Sequence, residues 1–114
     1  MHRKNLKYGL IILIFTLSII SCNNNKFDSE KWKNWIETES TLTLRWDMRK
    51  DLIKSHRLVG LSVSEIVDLL GEPDKKSDNE FRYYLGMARK GIDTGSLILT
   101  IENGKVTDYK FWHG

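Results

Sequence analysis

The feature that most constrains the fold of this sequence is a series of three alternating segments near the C-terminus. "FRYYLG" (81–86), "SLILTI" (96–101) and "KVTDYKFW" (105–112) carry apolar or aromatic side chains mainly at alternate positions. A period of two is typical of strands that bury one face of a sheet. Asn103 and Gly104 lie between the last two segments, which indicates a hairpin. We therefore predict a three-stranded antiparallel sheet whose apolar face consists of Phe81, Tyr83, Leu85, Leu97, Leu99, Ile101, Tyr109 and Phe111.

The register of this hairpin depends on the length of its turn. A two-residue turn would pair Glu102 with Lys105 but set Asp108 opposite Leu99 and Lys110 opposite Leu97, which places charges on the apolar face. A three-residue loop sets Thr107 opposite Leu99 and Tyr109 opposite Leu97. Because burying an unpaired charge costs more than a surface ion pair at the turn returns, we predict the longer loop.

The stretch "GLSVSEIVDLLGEP" predicts a helix over residues 62–70 with both of its ends specified. Ser62 can accept from the first free backbone amides, and Glu65 three residues later completes a capping box. Gly71 suits the end of the helix and Pro73 prevents its continuation.

A second helix is predicted over residues 47–56, where Met48, Leu52 and Ile53 recur at helical spacing. Since an apolar sheet face needs a cover, the two helices are expected to lie on it. The predicted fold is α+β, with two helices packed on a three-stranded antiparallel sheet.

The N-terminal region has the features of a secretion signal. A basic start is followed by an apolar run from about Leu10 to Ile20 and the small residue Ser21. This run is short for a bilayer core, which needs about 20 helical residues. We predict a cleaved signal peptide over residues 1–21.

The stretch Ile19-Ile20-Ser21-Cys22 resembles the lipobox of bacterial lipoproteins, and Cys22 is the only cysteine in the chain. The resemblance implies lipidation of the Cys22 sulfur, cleavage just before this residue and acylation, for example with palmitate, of its new amino group. A single acyl chain holds a protein only marginally, so lasting attachment takes two or more. A secreted protein with a free thiol, or an uncleaved anchor, is the alternative.

Charge excludes one class of partner. The chain has 18 basic and 15 acidic residues. Removing Arg3, Lys4 and Lys7 with the signal leaves 15 of each. Because phosphate-binding proteins keep a basic excess in the folded part, no nucleic-acid partner is expected.

The mature chain divides into three predicted parts. Residues 22–29 form a lipidated cysteine and polar tether, residues 30–46 an irregular extension with a short helix, and residues 47–114 the α+β domain. Tryptophans of the extension at positions 32 and 35 either pack on the domain or contact a membrane interface.

The order of residues 60–73, with "GLS", "EI", "LG" and a proline, followed by an aromatic strand and a Gly-Lys-Val return, resembles the BamE (SmpA/OmlA) lipoproteins. The resemblance covers roughly residues 47–111. It implies the α-α-β-β-β fold, also found in the β-lactamase-inhibitor protein, and a non-enzymatic accessory role in inserting β-barrels into the outer membrane. The matched positions are caps, core residues and turns, so no partner-binding residue is carried over. "FDSEKWKNW" has no counterpart in that family, which indicates a distinct set of small lipoproteins sharing the fold.

Catalytic and metal-binding patterns are not found in the mature sequence. His56 and His113 are far apart, and Glu37 and Glu39 diverge on a helix. "GIDTGS" (91–96) lacks the lysine of a phosphate loop and is better interpreted as a mobile connection between strands. We expect no enzymatic activity, no metal and no cofactor.

The remaining candidate site is the outer face of the sheet. On the predicted register it presents Arg82, Tyr84, Ile98, Thr100, Lys110 and Trp112. Arginine, tyrosine and tryptophan are the residue types that anchor protein interfaces. An ordinary solvated face is the alternative interpretation.

These observations favour a non-enzymatic lipoprotein of the bacterial envelope, anchored by lipid in the outer membrane. Its expected role is that of a scaffold or accessory in membrane-protein assembly or envelope maintenance, with an envelope protein as partner. The alternative is an inhibitor- or immunity-type module that captures an enzyme through its sheet face.

Overall fold

The computed structural model describes residues 25–88 and 93–114. The predicted signal peptide and Cys22 lie outside the described residues. Over these residues the fold is α+β, with three helices and a four-stranded antiparallel sheet in the order β1-β2-β3-β4. The helices are α1 (Ser29–Lys33), α2 (Leu44–Ser55) and α3 (Val63–Leu70), and the strands are β1 (Lys75–Lys76), β2 (Glu80–Ala88), β3 (Asp93–Glu102) and β4 (Lys105–His113).

The prediction of two helices and three strands is wrong in both counts. The additional strand β1 is only two residues long, and both of its lysines are exposed, so no alternation marks it in the sequence. The additional helix α1 has five residues and begins after Asp28, whose carboxylate accepts from the Lys31 amide. Elements this short carry too few residues to show a period.

Helix α3 confirms the capping prediction. The Ser62 hydroxyl accepts from the Glu65 amide at 3.2 Å, and the Glu65 carboxylate accepts from the Ser62 amide at 3.0 Å. Gly71 follows the helix with a φ of 81°, a conformation that glycine adopts without strain.

Helix α2 begins three residues earlier than predicted, at Leu44. The stretch "TLTLRW" (41–46), whose last three residues form the first turn of this helix, alternates like a strand. So short an alternation cannot distinguish a strand from a helix. At the start of α2 the Asp47 amide donates to the Thr43 carbonyl at 2.8 Å, and the Thr43 hydroxyl donates to the Asp47 carboxylate.

The β3–β4 hairpin uses the two-residue turn, not the predicted three-residue loop. Asn103 and Gly104 both have positive φ, 53° and 73°, as a tight hairpin turn requires. Glu102 pairs with Lys105. The predicted pairings of Thr107 with Leu99 and of Tyr109 with Leu97 are therefore wrong.

A β-bulge nevertheless keeps the charges off the core face. Opposite the step from Ile101 to Thr100, β4 advances from Val106 to Asp108, which leaves Thr107 as an extra residue. Beyond the bulge, Tyr109 pairs with Leu99 and Phe111 with Leu97, so both rings lie on the apolar face as predicted, while Asp108 and Lys110 lie on the other face.

The core lies between the helices and this apolar face. Six of the eight predicted face residues are buried, and Tyr109 and Phe111 are half-buried against them. From the helices, Met48, Leu52, Ile66 and Leu70 complete the cluster.

The tryptophans of the N-terminal segment pack on the domain, which resolves the two alternatives for Trp32 in favour of packing. Trp32 is completely buried, and Trp46 is 9% exposed. Phe27 also packs against the core cluster, with its ring 5.7 Å from that of Trp32. Of the predicted connection 91–96, residues 93–96 belong to β3, and residues 91 and 92 lie outside the described residues.

Candidate partner-binding surface

The six predicted surface residues lie on three consecutive cross-strand rows of one sheet face, which we call the outer face. Directly paired residues share a face in an antiparallel sheet. Across β2, β3 and β4, the three rows are Glu80–Thr100–Asp108, Arg82–Ile98–Lys110 and Tyr84–Ser96–Trp112. The three described helices pack on the opposite face, so none of them covers these rows.

The central row carries a run of positive charge that the sequence alone did not show. Strand β1 adds Lys75 opposite Arg82, so the row reads Lys75, Arg82, Ile98, Lys110 across all four strands. None of these three cations forms an ion pair with another described residue. Such a row favours an anionic group on a partner.

Two carboxylates flank the cationic row on one side. Glu80 and Asp108 occupy the two ends of the neighbouring row, and Thr100 lies exposed between them. The outer face therefore has one cationic stripe and one acidic stripe side by side. Adjacent stripes of opposite sign fix the orientation of a partner more than they add affinity.

Ile98 is the apolar centre of the face. It is 5% exposed although it does not belong to the core cluster. Its direct cross-strand neighbours are Arg82 and Lys110, whose long aliphatic stems can lie over it. Movement of these stems would offer a partner an apolar contact in the middle of the face.

Trp112 is the most exposed aromatic side chain on the face, with 53% of its surface accessible. Its row neighbour is the small residue Ser96, with Tyr84 beyond it. A large ring next to a small residue at the end of a strand is the kind of feature that a partner buries as an anchor.

Tyr84, in contrast, is already engaged within the chain. Its hydroxyl donates to the Glu37 carboxylate at 2.8 Å, and its ring lies 5.7 Å from that of Trp35. Burial, followed by the hydrogen bond to Glu37, raises the pKa of Tyr84 to about 12. We therefore assign Tyr84 to the border of the surface, where it holds the 35–43 loop.

A second cluster, which was not predicted from the sequence, lies beside Tyr84 and is centred on Arg45. The guanidinium lies 5.3 Å and 5.0 Å from the ring centres of Trp32 and Trp35, and donates to the backbone carbonyls of Trp32 and Tyr84. Asp74 forms an ion pair with it at 3.7 Å. Burial lowers the pKa of Arg45, an effect that the negative charge of Asp74 opposes. The only signal in the sequence was the concentration of tryptophans near an arginine.

The other groups with shifted pKa values have structural roles. Burial raises the pKa of Tyr83, whose hydroxyl donates to the Gly71 carbonyl at 2.7 Å. Hydrogen bonds from the Ser62 backbone and side chain lower the pKa of Glu65. Within residues 25–88 and 93–114 no group of three or more His, Cys, Asp and Glu side chains could hold a metal ion.

In the described part of the chain, no helix is both long enough and apolar enough to span a bilayer. No protein-family model matches this chain, and no curated protein or solved structure matches it. Its function is therefore inferred from the chemistry and geometry of its surface.

Proposed function

We propose that this protein is a non-enzymatic lipoprotein of the bacterial envelope that binds an envelope protein through its outer face. In this proposal the chain is anchored in the outer membrane through lipid on Cys22, and acts as a scaffold or accessory in membrane-protein assembly or envelope maintenance. The resemblance of residues 47–111 to the BamE lipoproteins supports the same role.

The observation that carries the proposal is the composition of the outer face. This face is left open by the described helices, and its cationic row forms no ion pair with another described residue. With a central isoleucine and an exposed Trp112, it has the anchor types of a protein interface. The polar groups elsewhere with shifted pKa values are engaged in structural hydrogen bonds or ring contacts, which leaves binding as the chemistry that this surface offers.

The short path from the proposed anchor to the fold supports a location at the membrane surface. The Phe27 amide donates to the Asp51 carboxylate at 2.8 Å, so Phe27 is already fixed to α2. Five residues from Cys22 to Phe27 span at most about 18 Å. The folded domain would therefore begin close to the headgroups.

Mass spectrometry of the native protein tests the anchor. We expect a mature chain that begins at Cys22 and carries the mass of a diacylglyceryl group and an acyl group. A Cys22→Ser variant should retain its leader and lose the lipid mass. A wild-type chain with a free thiol at Cys22 would contradict the anchor.

Site-specific photocrosslinking in cells tests the surface. A photoreactive amino acid at Thr100, exposed on the outer face, should give an adduct of defined mass with an envelope protein. The same amino acid at Ser64, exposed on α3, is the matched control and should not give this adduct. Adding Arg82→Glu should reduce the adduct at Thr100.

Two results would count against an envelope accessory. If the photoreactive amino acid gives only the uncrosslinked monomer, both at Thr100 and at Ser64, the result would contradict a partner on the outer face. An adduct with a soluble enzyme would instead support the inhibitor-type alternative.

A further inference from the structure

The free edge of β4 is the second surface that the fold leaves available. β4 is the last strand of the sheet, and its beginning is covered by the loop before α3. There the Gly60 amide donates to the Val106 carbonyl at 2.8 Å, and the Val106 amide donates to the Leu61 carbonyl at 2.9 Å. Among the described residues, no segment continues this pairing along β4 beyond Val106.

The direction of the backbone groups on this open stretch follows from the end of the strand. The Gly114 amide donates to the Thr94 carbonyl of β3, so it points into the sheet. Because alternate residues of a strand point their backbone groups to the same side, those of Tyr109, Phe111 and His113 point out of the sheet. Since the Tyr109 amide is already bonded to the Asp108 carboxylate at 2.9 Å, the open donors are the amides of Phe111 and His113.

A groove of about 520 Å³ lies beside this edge. It is lined by the end of α2, the loop that follows it, and Tyr109 of β4. Its apolar lining includes Ile53, Leu58 and Val59, and Val59 is one of the few large apolar side chains that the described structure exposes. The Tyr109 ring packs edge-on against Phe111, 5.9 Å away, so the aromatic pair follows the open part of the strand.

The charged side chains that line the groove are positive. Lys54 and Arg57 line it and are exposed, and neither forms an ion pair with another described residue. The nearest carboxylate on the same helix, Asp51, accepts from the Phe27 amide, which lowers its pKa. His56, also in the lining, has its ring against Phe27.

We propose that the β4 edge binds an extended peptide segment of another protein in which every second residue, on the side that faces the groove, is aliphatic or acidic. The segment would pair with β4 from Tyr109 to His113. It would extend the backbone pairing that the Gly60–Ser62 loop makes with the first part of the same edge. Alternate side chains of an added strand point to one side. One set would therefore enter the groove, where its aliphatic members would contact Val59 and Tyr109 and its acidic members would meet Lys54 and Arg57. Strand addition of this kind draws affinity from the main chain and specificity from the side-chain pockets. The inference is independent of the outer face.

The test uses the full chain in mild detergent and a fluorescein-labelled heptapeptide Val-Ser-Glu-Ser-Val-Ser-Glu, called the Glu-Val peptide, whose Val and Glu side chains all lie on one side of an extended strand. Binding is followed by fluorescence anisotropy. We expect the Glu-Val peptide to bind at least about tenfold more tightly than a Lys-Val peptide of the same length. Methylating the backbone nitrogens that face β4 should abolish binding, because these atoms donate to the strand edge.

Charge variants locate the site. Lys54→Glu combined with Arg57→Glu should weaken the binding of the Glu-Val peptide at least about tenfold. Lys31→Glu combined with Lys76→Glu makes the same change in net charge away from the groove and should leave binding unchanged. Hydrogen exchange should slow at the amides of Phe111 and His113 when the peptide is bound.

The opposite results would overturn the proposal. These are equal binding of the Lys-Val or methylated peptides, no binding of the Glu-Val peptide, or binding that leaves Phe111 and His113 exchange unchanged. If the free chain sediments as a dimer with these two amides protected, the occupant is a second copy of the chain and the peptide proposal is wrong.

Discussion

Arg45 shows how one side chain joins segments that are distant in sequence. Its guanidinium lies against the rings of Trp32 and Trp35 and donates to the Tyr84 carbonyl, 39 residues along the chain. Only 11% of its side chain is exposed. The planar fork allows both the ring contacts and the separate carbonyl bonds, which a lysine cannot reproduce together. Arg45 therefore attaches the N-terminal segment to the edge of β2.

We predict that Arg45→Lys lowers the free energy of unfolding by about 1–3 kcal/mol, because a buried carbonyl loses its donor and the ring contacts weaken. Urea denaturation followed by tryptophan fluorescence measures this change. Arg57→Lys, at an exposed position, is the matched control and should be close to neutral. Equal stabilities for the two variants would show that Arg45 acts only as a surface charge.

Asp51 links the first described residues to helix α2 in a way that depends on pH. The hydrogen bond from the Phe27 amide, with a smaller contribution from Ser55, lowers the pKa of Asp51 below its ordinary value of 3.8. A carboxyl whose pKa is lower in the folded chain adds stability above its unfolded pKa, and this stability is lost as the pH falls through the folded pKa.

We therefore predict that the stability difference between the wild type and Asp51→Asn is constant near neutral pH and shrinks below about pH 4. Chemical denaturation from pH 7 to pH 2.5 measures this difference. Glu39→Gln removes a carboxylate from an exposed loop position and serves as the control. A difference that stays constant to pH 2.5 would contradict the lowered pKa.

At the scale of elements, the β3–β4 hairpin shows where a physical argument was right and the geometry it predicted was wrong. The requirement that Asp108 stay off the core face was correct, and rejecting the two-residue turn on that ground was wrong. The chain meets this requirement with a bulge at Thr107, and keeps the Asn103-Gly104 turn. Bulges depend on the pairing of both strands and leave little trace in the sequence of one strand.

Deletions distinguish the bulge from a longer loop. Removing Thr107 leaves every other pair of the hairpin in place, so we expect a loss of about 1 kcal/mol or less. Removing Tyr109 forces Asp108 opposite Leu99 and deletes a half-buried ring, which should cost about 3 kcal/mol or more. Thermal unfolding of the two deletion variants measures the contrast, and similar losses would contradict the assigned register.

For the whole molecule, features that depend on neighbouring residues were predictable, and those that depend on long-range pairing were not. The cap made by Ser62 and Glu65, and the strand faces, follow from local spacing. The place of Lys75 in the outer face depends on a two-residue strand, and the burial of Trp32 depends on contacts with distant elements. All six residues predicted for the outer face lie together because an antiparallel register conserves the alternation across strands.

The central claim is that the outer face is occupied by a protein partner in the cell. It is tested most directly by comparing lysine acetylation in intact cells with that in the purified full chain, using mass spectrometry. Lys75 and Lys110 report on the outer face, and Lys50, exposed on α2, is the reference within the same chain. We predict that acetylation of Lys75 and Lys110, relative to Lys50, is several-fold slower in cells, since interface burial removes these amines from the reagent. Equal relative rates in cells and in the purified chain would contradict a partner on this face.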